Sequence, residues 1–306
     1  MMMQTSSGRE ALVDTSNPMQ IEGIEYVEYR CARPQALGQV LEQMGFRPVA
    51  RHRSREVLLY RQGGMNIVIN AHAGGLGGAG GAAGAAGTSA SHAVPLPEEP
   101  QLAAFALRVR DAAAAHRRAL ELGAWDVPVR VEPMELHIPA IHGVGSSRIA
   151  FVDRHREFSI YSVDFVPVPG VDPNPPALAG MRWFGIVQYI GAERTQDWVT
   201  FYQSLFGFVE RGADRETGVL PSGCVIASPD GSLQLQLIEP PPDLDDGIER
   251  LHRVAFGVPD VPAAAAALRD RGVGFIETRH LSVQPRGALT QTWLGSLMFE
   301  LIHVSR

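Results

Sequence analysis

Few side chains in this sequence are suited to metal binding, nucleophilic attack or covalent catalysis. There are ten histidines and two cysteines, Cys31 and Cys224, too few cysteines for a disulfide framework or a cysteine-rich zinc site. All 27 basic residues are arginine, so Schiff-base chemistry and a P-loop lysine are excluded. No G-x-S-x-G motif marks a nucleophilic serine. The chemistry left open is that of histidine, carboxylate and arginine side chains.

The histidine and carboxylate spacing does not by itself define a metal site. Glu300 and His303 lie in one strand-like segment at an odd spacing, which places their side chains on opposite faces of a strand. The clustered arginines at 51–55 are predicted to be solvated charge. Four further histidines are predicted to be surface or loop imidazoles: His52, His116, His155 and His280.

Composition limits the classes of protein to which the chain can belong. A length of 306 residues predicts roughly two domains. The net charge of −6 opposes binding to nucleic acid, which needs a concentrated basic face. No apolar stretch reaches the length of a signal peptide core or a membrane span, so no membrane association is expected. Residues 1–20 are predicted to be a disordered leader, and the low cysteine content fits a reducing cytoplasm.

Two segments of biased composition divide the sequence. Residues 73–100 are rich in Gly and Ala and then in Pro, so they are predicted to form a flexible loop. Residues 167–180 contain five prolines, which favours an interdomain linker. The predicted domains are therefore residues 21–166 and 181–306.

The same order of elements occurs on both sides of the linker. A strand-like segment leads into an amphipathic helix ending in Gly-Phe, as in ALGQVLEQMGF and WVTFYQSLFGF. A second strand then precedes an alanine-rich helix, and each half finishes with a pair of strands. This predicts an α+β fold with two paired βαβββ modules per half, each pair forming an open barrel or cup. The matched strands are Ile24–Tyr29 with Phe184–Tyr189, Phe105–Arg110 with Val254–Pro259, and Phe158–Val163 with Met298–His303.

Several of these segments resemble one known family. MGFRPVARHRS, PMELHIPAI and IAFVDRHREFSIYSVDF in the first half, and SPDGSLQLQLIE, RVAFGVPDV and LMFELI in the second, are similar to the 4-hydroxyphenylpyruvate dioxygenases. That family belongs to the vicinal oxygen chelate superfamily, which also contains the glyoxalase and bleomycin resistance proteins. The resemblance runs from about residue 21 almost to the end of the chain. It implies two tandem domains with the active cup in the C-terminal half.

The resemblance also implies where a metal site would lie. Family members hold a ferrous ion with two histidines and one glutamate, leaving coordination positions open for substrate and oxygen. The matching positions are Gly185, Arg253 and Glu300. Glycine has no ligating atom and arginine stays protonated, so only Glu300 matches. His252 would become a ligand only if the strand slipped by one residue.

Other pocket positions of the family carry over in part. Gln291 matches a pocket glutamine, whereas Ile238 stands where the family has an asparagine. Trp183 and Trp293 are candidates to line a pocket for a planar ligand. Arg253 and Glu300 are expected to form a bidentate pair inside the cup, because either charge buried alone would be costly. The resulting ligand-pocket candidates are Arg253, Glu300, Gln291, Trp183, Trp293 and Ile238.

Three functions compete at this stage. The favoured one is a metal-free paralogue that binds or transforms a small aromatic or 2-oxo-acid-like ligand in the C-terminal cup, with no cofactor. The first alternative is an Fe(II)-dependent aryl 2-oxo acid dioxygenase with an unusual metal site. The second is a non-catalytic binding or regulatory protein. The expected partner is a small molecule, with neither nucleic acid nor membrane, and the resemblance adds self-association into homo-oligomers.

Overall fold

The computed structural model describes residues 16–73, 95–128, 135–156, 158–212, 223–241, 247–279 and 281–305. Most of the predicted leader, and residues 74–94 of the predicted loop 73–100, lie outside the described residues. In the described part of the chain, no helix is long and apolar enough to cross a membrane.

The first half of the chain forms a mixed sheet of eight strands. Their spatial order is β6-β7-β5-β1-β4-β3-β2-β8, and the two central strands, β1 and β5, run antiparallel. On either side of this pair, β4 runs parallel to β1 and β7 runs parallel to β5. The strands are β1 Ile21–Arg30, β2 Arg47–His52, β3 Val57–Gln62, β4 Met65–Asn70, β5 Gln101–Val109, β6 Ala140–His142, β7 Arg148–Val152 and β8 Phe165–Pro167.

The second half repeats this plan in a sheet of seven strands. The order is β10-β11-β12-β9-β13-β15-β14, again with an antiparallel central pair, β9 and β13. Parallel neighbours flank the pair on both sides, β12 beside β9 and β15 beside β13. The strands are β9 Arg182–Tyr189, β10 Val209–Arg211, β11 Cys224–Ala227, β12 Gln234–Ile238, β13 Arg250–Val258, β14 Gly287–Leu289 and β15 Phe299–His303.

Four of the five helices follow the first strand of a module, and several helix ends carry the expected local signals. Asp111 and Asp260 cap the two alanine-rich helices, each accepting a hydrogen bond from a backbone N–H three residues on, at 2.8 and 2.9 Å. Gly207 ends the fourth helix in the left-handed conformation, at φ 73°. The helices are α1 Pro34–Gln43, α2 Ala112–Glu121, α3 Ile160–Asp164, α4 Thr195–Phe206 and α5 Val261–Arg269.

The element order confirms the predicted α+β architecture, with one correction. The segment Phe158–Val163 is not a strand, because Phe158 takes a left-handed conformation at φ 56° and the chain then turns into α3. The alternating pattern of this segment suggested a strand, but Ile160 and Tyr161 are both buried from a helical turn. The predicted domain boundaries and the close similarity of the two cups remain predictions.

Two hydrophobic clusters hold the structure together. The larger one runs through both halves and contains the back faces of both sheets and the buried faces of the helices. Phe46 from the first half and Phe256 from the second meet within it, with ring centroids 5.8 Å apart. The smaller cluster lies inside the first cup, where α3 and β8 contribute Ile160, Tyr161 and Phe165. Both halves therefore depend on a shared core.

The C-terminal end of α1 is bound by an arginine from the second half. Arg271 Nε donates to the Gln43 carbonyl at 2.9 Å and Nη2 donates to the Glu42 carbonyl at 2.6 Å. The Gln43 carbonyl lies at the helix end, where no later helical N–H reaches it, and the Glu42 carbonyl also accepts the Gly45 backbone N–H at 3.0 Å. A cation at this end also suits the helix dipole. The contact thus fastens the two halves together at the surface.

We expect Arg271→Met to lower the free energy of unfolding by about 1–2 kcal/mol, because two charge-assisted hydrogen bonds are lost. Urea denaturation measures the change. Arg269→Met is the matched control, since the Arg269–Glu277 pair is about half exposed on both sides and such pairs contribute about 0–1 kcal/mol. Equal effects of the two substitutions would contradict the role assigned to Arg271.

Candidate functional site

Arg253 and Glu300 meet on neighbouring parallel strands inside the second cup. β13 and β15 pair with Ala255 opposite Glu300, and Arg253 is the largest fully buried side chain among the described residues. Its Nε donates to Glu300 Oε2 at 2.8 Å, with both side chains 1% exposed. The predicted contact between these two residues is confirmed. It joins a positive and a negative charge in an interior that excludes water.

The predicted bidentate form of this pair is wrong, because the rest of the guanidinium turns elsewhere. Nη1 of Arg253 lies 3.3 Å from His252 Nδ1, and arginine can only donate. Nη2 is buried and has no hydrogen-bond partner in the described structure. A buried N–H group without an acceptor is costly, so the guanidinium retains one donor that a further acceptor could satisfy.

His252 is held away from metal coordination. A β-bulge between Leu251 and Arg253 places it beside the guanidinium, and its ring stacks on Tyr189 with centroids 4.1 Å apart. Burial first, and then the positive charges of Arg253 and Arg250, lower the pKa of His252 to about 4. The imidazole is therefore neutral at pH 7, and its Nδ1 lone pair accepts from Arg253. The assignment of His252 as a metal ligand is not supported.

The position that would carry the first family ligand excludes a side chain. A Cβ added to Gly185 would lie 2.1 Å from the Gln234 carbonyl oxygen. At this point β9 and β12 are too close together for any residue that has a Cβ, so only glycine fits. A histidine at this position would force the two strands apart.

These residues do not fit a ferrous ion. Glu300 is held by a permanently charged guanidinium, and a cation beside it would be repelled by Arg253. Within the described residues, no group of three or more His, Cys, Asp or Glu side chains is arranged to hold a metal ion.

Part of the cup face is made by β12. Gln236 lies in register with Val187, which lies opposite Arg253 on the other side of β9. Ile238 ends β12 in register with Tyr189 and is half-buried. A small opening beside this row is lined by Val187, Val225, Gln236, Ala255 and Ile302, among others. The cup therefore combines apolar walls with amides and one buried ion pair.

Three predicted pocket residues lie elsewhere. Trp183 stacks on Phe256 with centroids 5.7 Å apart, and Phe256 and Trp293 both pack on Phe299. Phe299 and Glu300 are adjacent in a strand, so these rings occupy the face opposite Glu300. Both tryptophans are thus partly buried against the larger core and turned away from the cup. Gln291 is exposed and lies against Gly274.

The first cup contains a cavity that sequence reasoning missed. Its volume is about 80 Å³, room for roughly five to eight waters at 10–15 Å³ each. His52 and Arg55, predicted to be surface groups, line it with side chains only 4% and 9% exposed. Their burial results from β8 and α3, which cover the cup mouth. The local sequence around residues 51–55 is basic and carries no signal of this burial.

A second buried ion pair lies in the first cup. Arg148 Nη2 donates to Glu28 Oε1 at 2.5 Å, and Asn70 donates to the same oxygen at 2.9 Å. Glu28, Ala104 and Arg148 lie in one row across β1, β5 and β7. Each cup therefore contains an Arg–Glu pair.

The fold and the two cups define the class of protein. Residues 185–287 match the model of the glyoxalase/bleomycin resistance protein/dioxygenase superfamily. Residues 15–166 match the model of the N-terminal part of hydroxyphenylpyruvate dioxygenase. The architecture is thus that of a vicinal oxygen chelate protein with two tandem halves.

Individual relatives narrow the class to a family. A 4-hydroxyphenylpyruvate dioxygenase of Pseudomonas sp. is 36% identical over 229 residues, which cover 73% of this chain and 59% of that protein. The same enzyme of Pseudomonas aeruginosa is 30% identical over 285 residues, covering 88% of this chain and 75% of that protein. A solved xylose isomerase-like TIM barrel/4-hydroxyphenylpyruvate dioxygenase fusion protein aligns with a TM-score of 0.68 and 25% identity, covering 93% of this chain and 49% of that one. The chain belongs to the 4-hydroxyphenylpyruvate dioxygenase family.

Proposed function

We propose that this chain is a family member whose C-terminal cup has lost the iron site and binds a small organic acid of the aryl 2-oxo acid type without metal. The observation that carries the proposal is the buried guanidinium of Arg253, paired with Glu300 through Nε and carrying an unpartnered Nη2 donor. A guanidinium N–H group favours a carboxylate acceptor. The partner that we propose is thus a small molecule. The cytoplasmic location of the protein remains a prediction.

The charge balance of the cup supports an acid as ligand. The Arg253 charge is compensated by Glu300, and His252 is neutral because burial and two arginines lower its pKa. A carboxylate that reached Nη2 would share the guanidinium with Glu300 and satisfy the remaining donor. Apolar residues such as Val225 and Ile302 would face the rest of the ligand. The relatives named 4-hydroxyphenylpyruvate dioxygenase favour the alternative, a dioxygenase. The next experiment tests the proposal against an Fe(II)-dependent enzyme of that kind.

The first experiment measures the iron content of the purified protein and its oxygen uptake. We expect the purified full chain to hold far less than one equivalent of iron after anaerobic loading with Fe(II), and to consume no oxygen with 4-hydroxyphenylpyruvate. The reason is that Arg253 offers no lone pair and repels a cation at Glu300. One equivalent of tightly bound iron that disappears in Glu300→Ala would overturn the proposal in favour of the dioxygenase.

The second measurement is ligand binding by calorimetry with phenylpyruvate as the probe. We expect one binding site, lost in the double variant Arg253→Met/Glu300→Gln, which removes both charges together and so strands neither of them. Arg182→Met is the control, because Arg182 is the first residue of β9 in the same sheet but is exposed. Absence of phenylpyruvate binding, or equal loss in the control, would refute the acid-binding cup.

A further inference from the structure

We propose that the N-terminal cup is a second ligand site, which takes a small uncharged aromatic molecule carrying a hydroxyl group, a phenol. The site is the 80 Å³ cavity between the central strands β1 and β5 and the covering elements α3 and β8. It is separate from the Arg253–Glu300 cup and stands on different residues.

The shape and lining of the cavity favour a single apolar ring. Val68, Ala104, Ala150 and Ile160 contribute small or aliphatic walls. Three aromatic side chains complete the lining, and aromatic rings favour offset or edge contacts with another ring. These side chains are Tyr26, Tyr161 and Phe165. A concave, mostly apolar cavity with a few convergent polar groups is the usual form of a small-molecule site.

The charges in the cavity oppose an acid. Arg55 is paired with Glu135 through two hydrogen bonds, and Arg148 is paired with Glu28. Both guanidinium groups that line the cavity are thus already compensated. A ligand carboxylate would add a negative charge beside three protein carboxylates, and both arginines among the described lining residues are already paired.

Two polar side chains of the cavity lining, His52 and Asp164, offer a donor and an acceptor. His52 Nδ1 accepts from the Ser54 backbone N–H at 3.3 Å, which leaves the proton of the neutral ring on Nε2. Nε2 lies 3.9 Å from Glu135 Oε1, too far for a hydrogen bond. Burial lowers the pKa of His52, so the ring stays neutral. Among the described residues, Nε2–H has no acceptor within hydrogen-bond distance.

Asp164 supplies the acceptor. The backbone of Arg53 donates to the Asp164 carbonyl at 3.0 Å, and His52 pairs directly with Phe165, so the two side chains belong to one corner of the cup. The Asp164 carboxylate accepts only the Leu136 backbone N–H, at 3.2 and 3.4 Å, and makes no ion pair within the described structure. Both residues line the cavity.

This pair of groups selects the ligand chemistry. An ammonium group only donates and would leave the His52 N–H unmet, whereas a carboxylate only accepts and would repel Asp164. A hydroxyl group donates to Asp164 and accepts from His52 at the same time. Together with the aromatic and aliphatic walls, this points to a phenol.

The test is a titration of the full chain with phenol. Calorimetry measures the binding, and NMR records the imidazole ¹⁵N signals of the histidines. We expect one phenol per chain and a shift of the His52 Nε2 signal, whereas benzoate and benzylamine should shift that signal only at concentrations at least about tenfold higher. Benzoate binding without a His52 shift would report the C-terminal cup. No phenol binding, or a His52 shift with benzoate at the same concentration as with phenol, would overturn the proposal.

Two matched variants locate the site. Ala104 and Ala255 occupy central strands of the first and second cup, and both are buried. Ala104→Leu fills the N-terminal cavity and should abolish phenol binding, while Ala255→Leu, which fills the other cup, should leave it unchanged. Equal loss in both variants, or loss only in Ala255→Leu, would place the phenol elsewhere and refute the inference.

A third variant covers the case in which Ala104→Leu fails to fold. Asp164→Asn replaces a charged acceptor with a neutral amide and alters no volume. It should weaken phenol binding about tenfold, with binding of phenylpyruvate unaffected because that probe reports the other cup. Unchanged phenol affinity in Asp164→Asn would contradict the assignment of this corner.

Discussion

Arg253→Met is expected to lower the free energy of unfolding by about 3–5 kcal/mol, because it leaves the Glu300 carboxylate buried without its cation. The pair is 1% exposed on both sides, so solvent cannot take over the role of the guanidinium. Urea denaturation at pH 7, followed by tryptophan fluorescence, measures the difference.

The double variant separates the cost of a stranded charge from the contribution of the pair. Arg253→Met/Glu300→Gln removes both charges and should be less destabilising than Arg253→Met alone. Replacing a whole buried ion pair is often neutral. If the two variants were equally unstable, the loss would come from packing of the long arginine side chain, and the electrostatic account would be wrong.

Phe256→Ala should cost about 3–5 kcal/mol, since it opens a cavity in the centre of the larger core. Phe256 is fully buried and contacts Trp183, Phe299 and, across the two halves, Phe46. Because this core runs through both halves, we expect the parent chain and the variant each to unfold in one transition, the variant at a lower urea concentration.

Phe158→Ala is the control for this prediction. Phe158 is 81% exposed, so its replacement should change the free energy of unfolding by less than about 0.5 kcal/mol. An unfolding curve for Phe256→Ala that splits into two steps, with the first half unaffected, would show that the halves are stabilised independently and would contradict the shared core.

The candidate site shows which contacts could be predicted from residue types alone and which required the fold. The pairing of Arg253 with Glu300 was predictable, because two opposite charges on apolar strands must meet if both are buried. Its single-contact geometry was not, because a β-bulge at His252 turns Nη1 aside. Trp183 and Trp293 were assigned to the wrong face, since the parity of each strand relative to the cup depends on its partner strands.

By itself the sequence determined the repeated order of strands and helices and the α+β class, because hydrophobic period, capping residues and glycine turns are local signals. The family followed from the resemblance of whole segments to the 4-hydroxyphenylpyruvate dioxygenases. Only the tertiary structure decided which groups are buried together. The segment Phe158–Val163 forms a turn and the start of a helix, because Ile160 and Tyr161 are buried in the first cup in that conformation. The cover that this segment forms over the cup buries His52 and Asp164, which the chain separates by more than a hundred residues. The environment of these two side chains arises from contacts distant in sequence, so no local pattern of residues could predict it.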